Sequence, residues 1–410
     1  MKKKHATSDI LHTKPCIIDP YGSISMPVYN SVAFEFDCAE AMEAAFSGKT
    51  TDHTYSRISN PTVEHFENRV KAITQAKHVT ALSSGMAAIS NIVFTLAKSG
   101  LNLVTSKHLF GNTYSFFQST LAAFGVEVRF CDLLNLEEVK KKIDGKTCGL
   151  FLEIITNPQM EVADLKSLSE ICKSKKIPLI ADSTIVPFTS FKASDFGVDI
   201  ETVSSTKYIS GGATSIGGLI IDYGTFDWRT SERLRELERL HGRDAFNFKL
   251  RKEIHRNLGA YMSPQTAYMQ SLGLETLEVR FLRAAETTKK LVEELSNHPK
   301  VEKVNYTDLK ENRFYEISRS QFGEFPGAMF TIDLQSKEAC FQFINKLQVI
   351  RRATNLFDNQ SLAIHPASTI YVNFSQKERD EMNISDKTIR FSIGLEEFEV
   401  LIEDFERALG

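Results

Sequence analysis

The chain has 410 residues, with 49 lysines and arginines against 52 aspartates and glutamates, for a formal net charge of -3. That near-balance argues against a general nucleic-acid surface, and the length is enough to bury one large core or two. No apolar stretch is long enough to span a membrane, and six scattered cysteines without CxxC spacing point to reduced thiols in a cytoplasmic protein, not to a disulfide frame or a zinc site.

The start, Met1-Lys2-Lys3-Lys4, is basic, and no apolar run of signal-peptide type follows it. Residues 1–54 have weak periodicity and turn signals at Pro15, Pro20-Tyr21-Gly22 and Pro27, which reads as an extended arm lying against a neighbouring subunit. Asn60-Pro61-Thr62 is a helix start. Just before it, Tyr55 and Arg57 are two apart, so in an extended segment they point the same way and can grip an anion together.

From about 78 to 222, short apolar runs alternate with helical patterns. The expected strands are Val79 to Leu82, Asn102 to Thr105, Val126 to Cys131, Cys148 to Ile155, Pro178 to Ala181, Ile200 to Val203 and Gly217 to Ile221. Such alternation predicts an α/β fold with a mostly parallel, seven-stranded-type sheet between helices, and ligands bound beyond the carboxyl ends of the strands. Ser263-Pro264 caps a long helix predicted to run to about Ser296. Strands at Val301 to Tyr306, Ala328 to Leu334 and Thr388 to Ile393 then form a second, smaller α/β domain, closed by a helix with Phe398, Leu401, Ile402, Phe405 and Leu409 on one face. The domain reading is an arm at 1–54, a first domain at 55–255 and a second at 256–410.

Four strand-end loops carry chemistry. Ser83-Ser84-Gly85-Met86-Ala87 offers free amides at a helix start, suited to a phosphate or to an ordinary tight turn. Glu153 to Asn157-Pro158 ends the strongest strand with polar groups. Asp182, with Thr184, follows a buried strand. A carboxylate there is costly unless paired, and it reads either as a helix cap or as a partner for a protonated ring nitrogen. Ser204-Ser205-Thr206-Lys207 places one lysine among hydroxyls where a buried strand ends, which suits an amine that must be partly desolvated to attack a carbonyl. A phosphate cradle, a ring-nitrogen acid, a polar group for a ring hydroxyl and a lysine for an aldehyde together match pyridoxal 5'-phosphate (PLP).

On these motifs the chain resembles the Cys/Met metabolism family of PLP-dependent enzymes of fold type I, which includes O-acetylhomoserine sulfhydrylase, cystathionine gamma-synthase, the cystathionine lyases and methionine gamma-lyase. The resemblance implies that Tyr55 and Arg57 reach the cofactor phosphate of an adjacent subunit. It implies that Ser84, Gly85, Met86, Ser204 and Thr206 hold this subunit's own phosphate. Glu153 and Asn157 lie near the ring hydroxyl, Asp182 and Thr184 at the ring nitrogen, and Lys207 binds the aldehyde. Ser361-Leu362 with His365-Pro366-Ala367, and the segment Arg390 to Glu396, match carboxyl-terminal signatures. Arg390 then holds the substrate α-carboxylate, with Asn157 and Ser361 beside the substrate. The implied catalytic set is Lys207, Asp182, Phe110 and Tyr55, with no metal.

Several positions depart from the family pattern. Phe110 stands where a tyrosine usually stacks on the ring, so it has no hydroxyl to donate a proton. Asn112 replaces the cysteine of methionine gamma-lyases, Ser183 a usual asparagine and Val203 a frequent histidine or glutamate. The run Gly211 to Gly218 resembles the sulfhydrylase branch. A carboxylate leaving group departs without a proton more readily than a thiolate, so Phe110 leans toward an acylated homoserine. The leading expectation is O-acetylhomoserine plus sulfide giving homocysteine and acetate in methionine metabolism. The alternatives are a methionine or cystathionine lyase or cystathionine gamma-synthase of the same family, and a phosphate- or nucleotide-binding module without this chemistry. The last would want a GxGxxG spacing that Ser83 to Ala87 lacks. The expected partners are an amino-acid substrate, a thiol or sulfide, and further copies of the chain as a tetramer built from dimers; nucleic acid and membrane are not expected.

Overall fold

From His78 onward the alternating pattern builds a seven-stranded sheet. Its strands are β1 (His78–Leu82), β2 (Asn102–Ser106), β3 (Glu127–Cys131), β4 (Thr147–Glu153), β5 (Leu179–Asp182), β6 (Ile200–Val203) and β7 (Gly218–Asp222), in the order β1-β7-β6-β5-β4-β2-β3. Only β7 runs antiparallel, to both β1 and β6; the remaining pairs are parallel. The coordinates are a computed structural model in which residues 6–15 and 19–410 are described; the basic start at Met1–Lys4 and Cys16 lie outside them. Buried apolar clusters cover both sheet faces, which is why the strands read as near-continuous apolar runs. Among the described residues no helix is long and apolar enough to cross a membrane. Cys38, Cys131, Cys148, Cys172 and Cys340 are free thiols, and all but Cys38 are buried or half-buried.

A second sheet follows: β8 (Lys303–Asn305), β9 (Met329–Asp333), β10 (Arg351–Arg352), β11 (Leu362–Ile364) and β12 (Thr388–Ser392), in the order β10-β11-β12-β9-β8. All its pairs are antiparallel except β10 with β11. The closing helix Phe398–Leu409 buries Leu401, Phe405 and Leu409, and Phe391 and Phe405 pack with ring centroids 4.8 Å apart. This core is continuous with one face of the first sheet.

Three local features differ from the sequence reading. The long helix after Ser263 is two, Pro264–Glu275 and Leu277–Ser296, broken at Thr276. Arg280 compensates the interrupted ladder, donating from Nη2 to the Gly273 carbonyl at 2.6 Å and from Nε to Thr276 Oγ1 at 3.1 Å. The helix expected from Asn112 to Phe124 widens by one residue per turn over Phe116–Thr120. Strands β10 and β11, two and three residues long, are too short to leave a period in the sequence.

Candidate active site

The carboxyl ends of β1, β4, β5 and β6 open into one cavity of about 640 Å³. After β1, Ser84 caps the helix Gly85–Leu96 by accepting from the Ala87 amide at 3.0 Å. The first amides of that helix have no partner within it, and they point where the helix dipole is positive. Small residues make the arrangement possible. A Cβ on Gly218 of β7 would lie 2.1 Å from the Ser84 carbonyl oxygen, and one on Gly85 would lie 2.9 Å from Ser204 Cβ. The chain after β6 is therefore pressed against the helix start. Thr206 Oγ1 fixes it there, donating to the Gly217 carbonyl at 3.1 Å and accepting from the Gly217 amide at 3.0 Å.

Two acids form the floor. Parallel pairing sets Glu153, at the end of β4, beside Asp182, at the end of β5. Glu153 accepts from the Phe110 amide at 2.6 Å; burial, and then the neighbouring Asp182, push its carboxyl up to about 8. Burial also raises Asp182, although its carboxylate accepts from the Thr184 amide at 2.9 Å. Thr184 in turn accepts from the Ser204 amide at 2.9 Å, so the acid and the loop before the lysine are tied together. Behind them lies Glu201, fully buried in β6, which accepts from the hydroxyls of Ser183 and Tyr223. Burial pushes Glu201 up to about 7. The sequence reading passed over Glu201, although a glutamate inside the apolar run Ile200 to Val203 was a visible signal.

Lys207 lies one turn beyond β6, its amide donating to the Ser204 carbonyl at 3.1 Å. Its Nζ donates to Asn355 Oδ1 at 2.7 Å. Burial, and then the nearby Arg390, lower its pKa to about 8, with Asp358 acting the other way. Arg390 enters from the second sheet on β12, 2% exposed. Its Nη1 donates to Asn157 Oδ1 at 3.1 Å and its Nη2 to the carbonyls of Thr354 and Asn355 at 3.4 Å each, while its buried Nε has no partner among the described residues. Burial pushes its pKa down to about 10. The Tyr371 hydroxyl secures Asn157 by donating to its carbonyl at 2.9 Å.

Ser84, Gly85, Met86, Phe110, Glu153, Asn157, Asp182, Thr184, Ser204, Thr206, Lys207 and Arg390 all line the cavity. Three other candidates do not. Tyr55 is 39% exposed, with Arg57 Cζ 5.4 Å from its ring centroid. Arg57 lines a separate cavity of about 280 Å³ and donates to the Arg256 carbonyl at 2.5 Å. Ser361 is fully buried and is not among the residues lining the cavity. Its hydroxyl donates to Glu396 at 2.7 Å and accepts from the Gly394 amide at 2.9 Å, so it ties two segments of the second sheet's loops together. The residue that does face the lysine is Asn355, six positions earlier, which sequence reasoning missed.

The donor set fits pyridoxal phosphate. A helix start with hydroxyls beside it can take a phosphate, and a buried carboxyl without a cation can take a protonated ring nitrogen. An amine shifted toward neutrality can take the aldehyde, and a buried guanidinium with an orphaned Nε can take a carboxylate. The fold and the site define a PLP-dependent enzyme of fold type I. Residues 10–410 match the model of the Cys/Met metabolism PLP-dependent enzymes, and the chain belongs to that family. It is 35% identical to the L-methionine gamma-lyase of Fusobacterium nucleatum subsp. nucleatum, over 100% of this chain and 99% of that protein. An O-acetylhomoserine sulfhydrylase of Wolinella succinogenes shares 44% identity with a TM-score of 0.77, covering 86% of this chain and 98% of its own. A Campylobacter jejuni protein assigned as an O-acetylhomoserine (thiol)-lyase, with pyridoxyl-lysine monophosphate in its structure, superposes with a TM-score of 0.92 at 31% identity, covering 98% of this chain and 99% of its own.

Proposed function

We propose that the chain transfers the aminocarboxypropyl group of O-acetylhomoserine to sulfide, giving homocysteine and acetate. Phe110 carries this reading. It lines the cavity where an acid would be needed to protonate a departing thiolate, and its ring has no proton to give. Acetate is a weak base and leaves without one. The likeness to a sulfhydrylase at 44% identity supports the same reading.

Bound pyridoxal phosphate supplies the electron sink that makes the α-proton of an amino acid removable. The chain's own residues do the rest. The amides of Gly85 and Met86, with Ser84, Ser204 and Thr206, hold the phosphate. Asp182, supported by Thr184, keeps a proton on the ring nitrogen, and Glu153 and Asn157 face the ring hydroxyl. Arg390 orients the substrate through its α-carboxylate. Lys207 takes the proton from the α-carbon and moves a second one at the β-carbon, after which the acetate C–O bond breaks and sulfide forms the new C–S bond. Tyr55 and Arg57 serve the phosphate of a neighbouring subunit, in a cytoplasmic tetramer built from dimers. The exposed apolar side chains of Met269, Leu272 and Val279 support such an assembly.

The second reading, methionine gamma-lyase, is favoured by 35% identity along the whole chain. Purified holoenzyme given O-acetylhomoserine and sulfide should form homocysteine and acetate in equal amounts without ammonia. Faster release of ammonia and methanethiol from methionine would replace the first reading with the second.

A further inference from the structure

The segment from Thr354 to Asn359, between β10 and β11, lies against the loop carrying Lys207 at three points in order. Asn355 Oδ1 accepts from Lys207 Nζ at 2.7 Å. The Phe357 ring stacks on Tyr208, with centroids 4.0 Å apart and planes at 11°. The Asn359 amide donates to the Gly211 carbonyl at 2.7 Å. On its other side, the carbonyls of Thr354 and Asn355 accept from Arg390. The strap therefore touches both the amine and the guanidinium.

Two details aim Asn355. Phe357 has φ 55, a left-handed conformation disfavoured for a residue with a Cβ. It is held there by its buried ring and by its amide, which donates to Ser392 Oγ at 2.6 Å. Asn355 Nδ2 donates to Asp358 Oδ2 at 3.3 Å, which leaves the amide oxygen facing Lys207.

We propose that Asn355 is a positioning residue for Lys207: its side-chain oxygen is the docking point of the free lysine amine, on a strap held in place by Phe357. The proposal rests on the reading of Lys207 as the proton carrier. A lysine on a four-carbon stem has many rotamers, and a fixed acceptor restricts them. A neutral amide oxygen accepts from the ammonium and also from the free amine, favouring the ammonium only modestly, whereas a carboxylate would hold the amine charged. The charged groups bearing on Lys207 are Arg390 and Asp358, with Glu153 and Asp182 in the same cavity.

The test is the pH dependence of Lys207 reactivity toward acetic anhydride in the full-length chain stripped of cofactor, read by mass spectrometry of the Lys207 peptide. The pH profile of kcat is measured on the holoenzyme in parallel. Asn355→Asp, nearly isosteric and at a half-buried position, should raise the proton affinity of Lys207 by about tenfold or more and move the acid limb of kcat to higher pH. Asn355→Leu should move both the other way, which loosening of the strap alone would not do. Unchanged titration in both variants, or movement in the same direction, overturns the proposal. The labelling needs no substrate, so failure to form homocysteine would remove the O-acetylhomoserine reading and leave this result to be judged separately.

Discussion

The two walls of the cavity carry ionisable groups of opposite kind, acids on one and a guanidinium on the other. The first sheet contributes Glu153 and Asp182, side by side at strand ends, with Glu201 buried behind them; burial raises all three. The second sheet contributes Arg390, whose hydrogen bonds go to an amide oxygen and two carbonyls, and whose pKa burial lowers. A protein built only for stability would let such groups neutralise one another, because an unpaired buried charge is costly. Here they stay apart, with Lys207 between them. On the proposed reading each wall serves a different part of the ligand: Asp182 the ring nitrogen, Glu153 the ring hydroxyl and Arg390 a carboxylate. The cost of orienting these groups is met at folding, so little reorganisation is left for the reaction.

The largest effect should come from the group between the walls. Lys207→Ala should lower kcat by about 10³-fold or more and abolish the covalently held yellow cofactor, read by activity and by borohydride trapping. Retention of a tenth of the activity would mean that another group carries the protons. Weakening the cationic wall alone should cost less. Arg390→Lys keeps the charge and loses the fork, so KM for the amino acid should rise roughly 10- to 100-fold, with kcat less affected. A kcat loss without a KM change would take Arg390 away from the carboxylate.

Phe110→Tyr restores a proton donor beside the acidic wall. It should shift the ratio of methionine cleavage to O-acetylhomoserine consumption by about tenfold toward methionine, read as relative kcat/KM. An unmoved ratio would mean that the leaving group does not depend on this position. The smallest effect concerns the acidic wall and shows in stability. Glu201 is raised from 4.5 to about 7, so its contribution to stability is present below the lower value and lost as pH rises through the upper one. Glu201→Gln should therefore stabilise the fold at about pH 8, by up to roughly 3 kcal/mol, and make little difference near pH 4. Equal Tm gains at both pH values would show that charge is not the cause.

The acidic wall and its phosphate end were legible in the sequence because local signals place them. A strand end, a capping serine and a glycine fix where Ser84, Asp182 and Lys207 fall along the chain, and the alternation puts those loops on one edge of the sheet. The opposite wall was legible only at Arg390, through the family signature. Asn355 escaped because its role depends on a contact 148 positions away in the chain and on the left-handed turn at Phe357, which no glycine marks. Ser361 was chosen over it as a hydroxyl within a signature, yet Glu396 and Gly394 occupy that hydroxyl. The break at Thr276 depends likewise on Arg280 reaching back to Gly273.

The central claim is that the cavity expels a leaving group that needs no acid. A competition with O-acetylhomoserine and methionine at equal concentration, with sulfide present, tests it directly, because acetate comes only from the first and methanethiol only from the second, so their initial ratio gives the ratio of kcat/KM values. Acetate in excess by about tenfold or more is the expected result. Methanethiol in excess would contradict it.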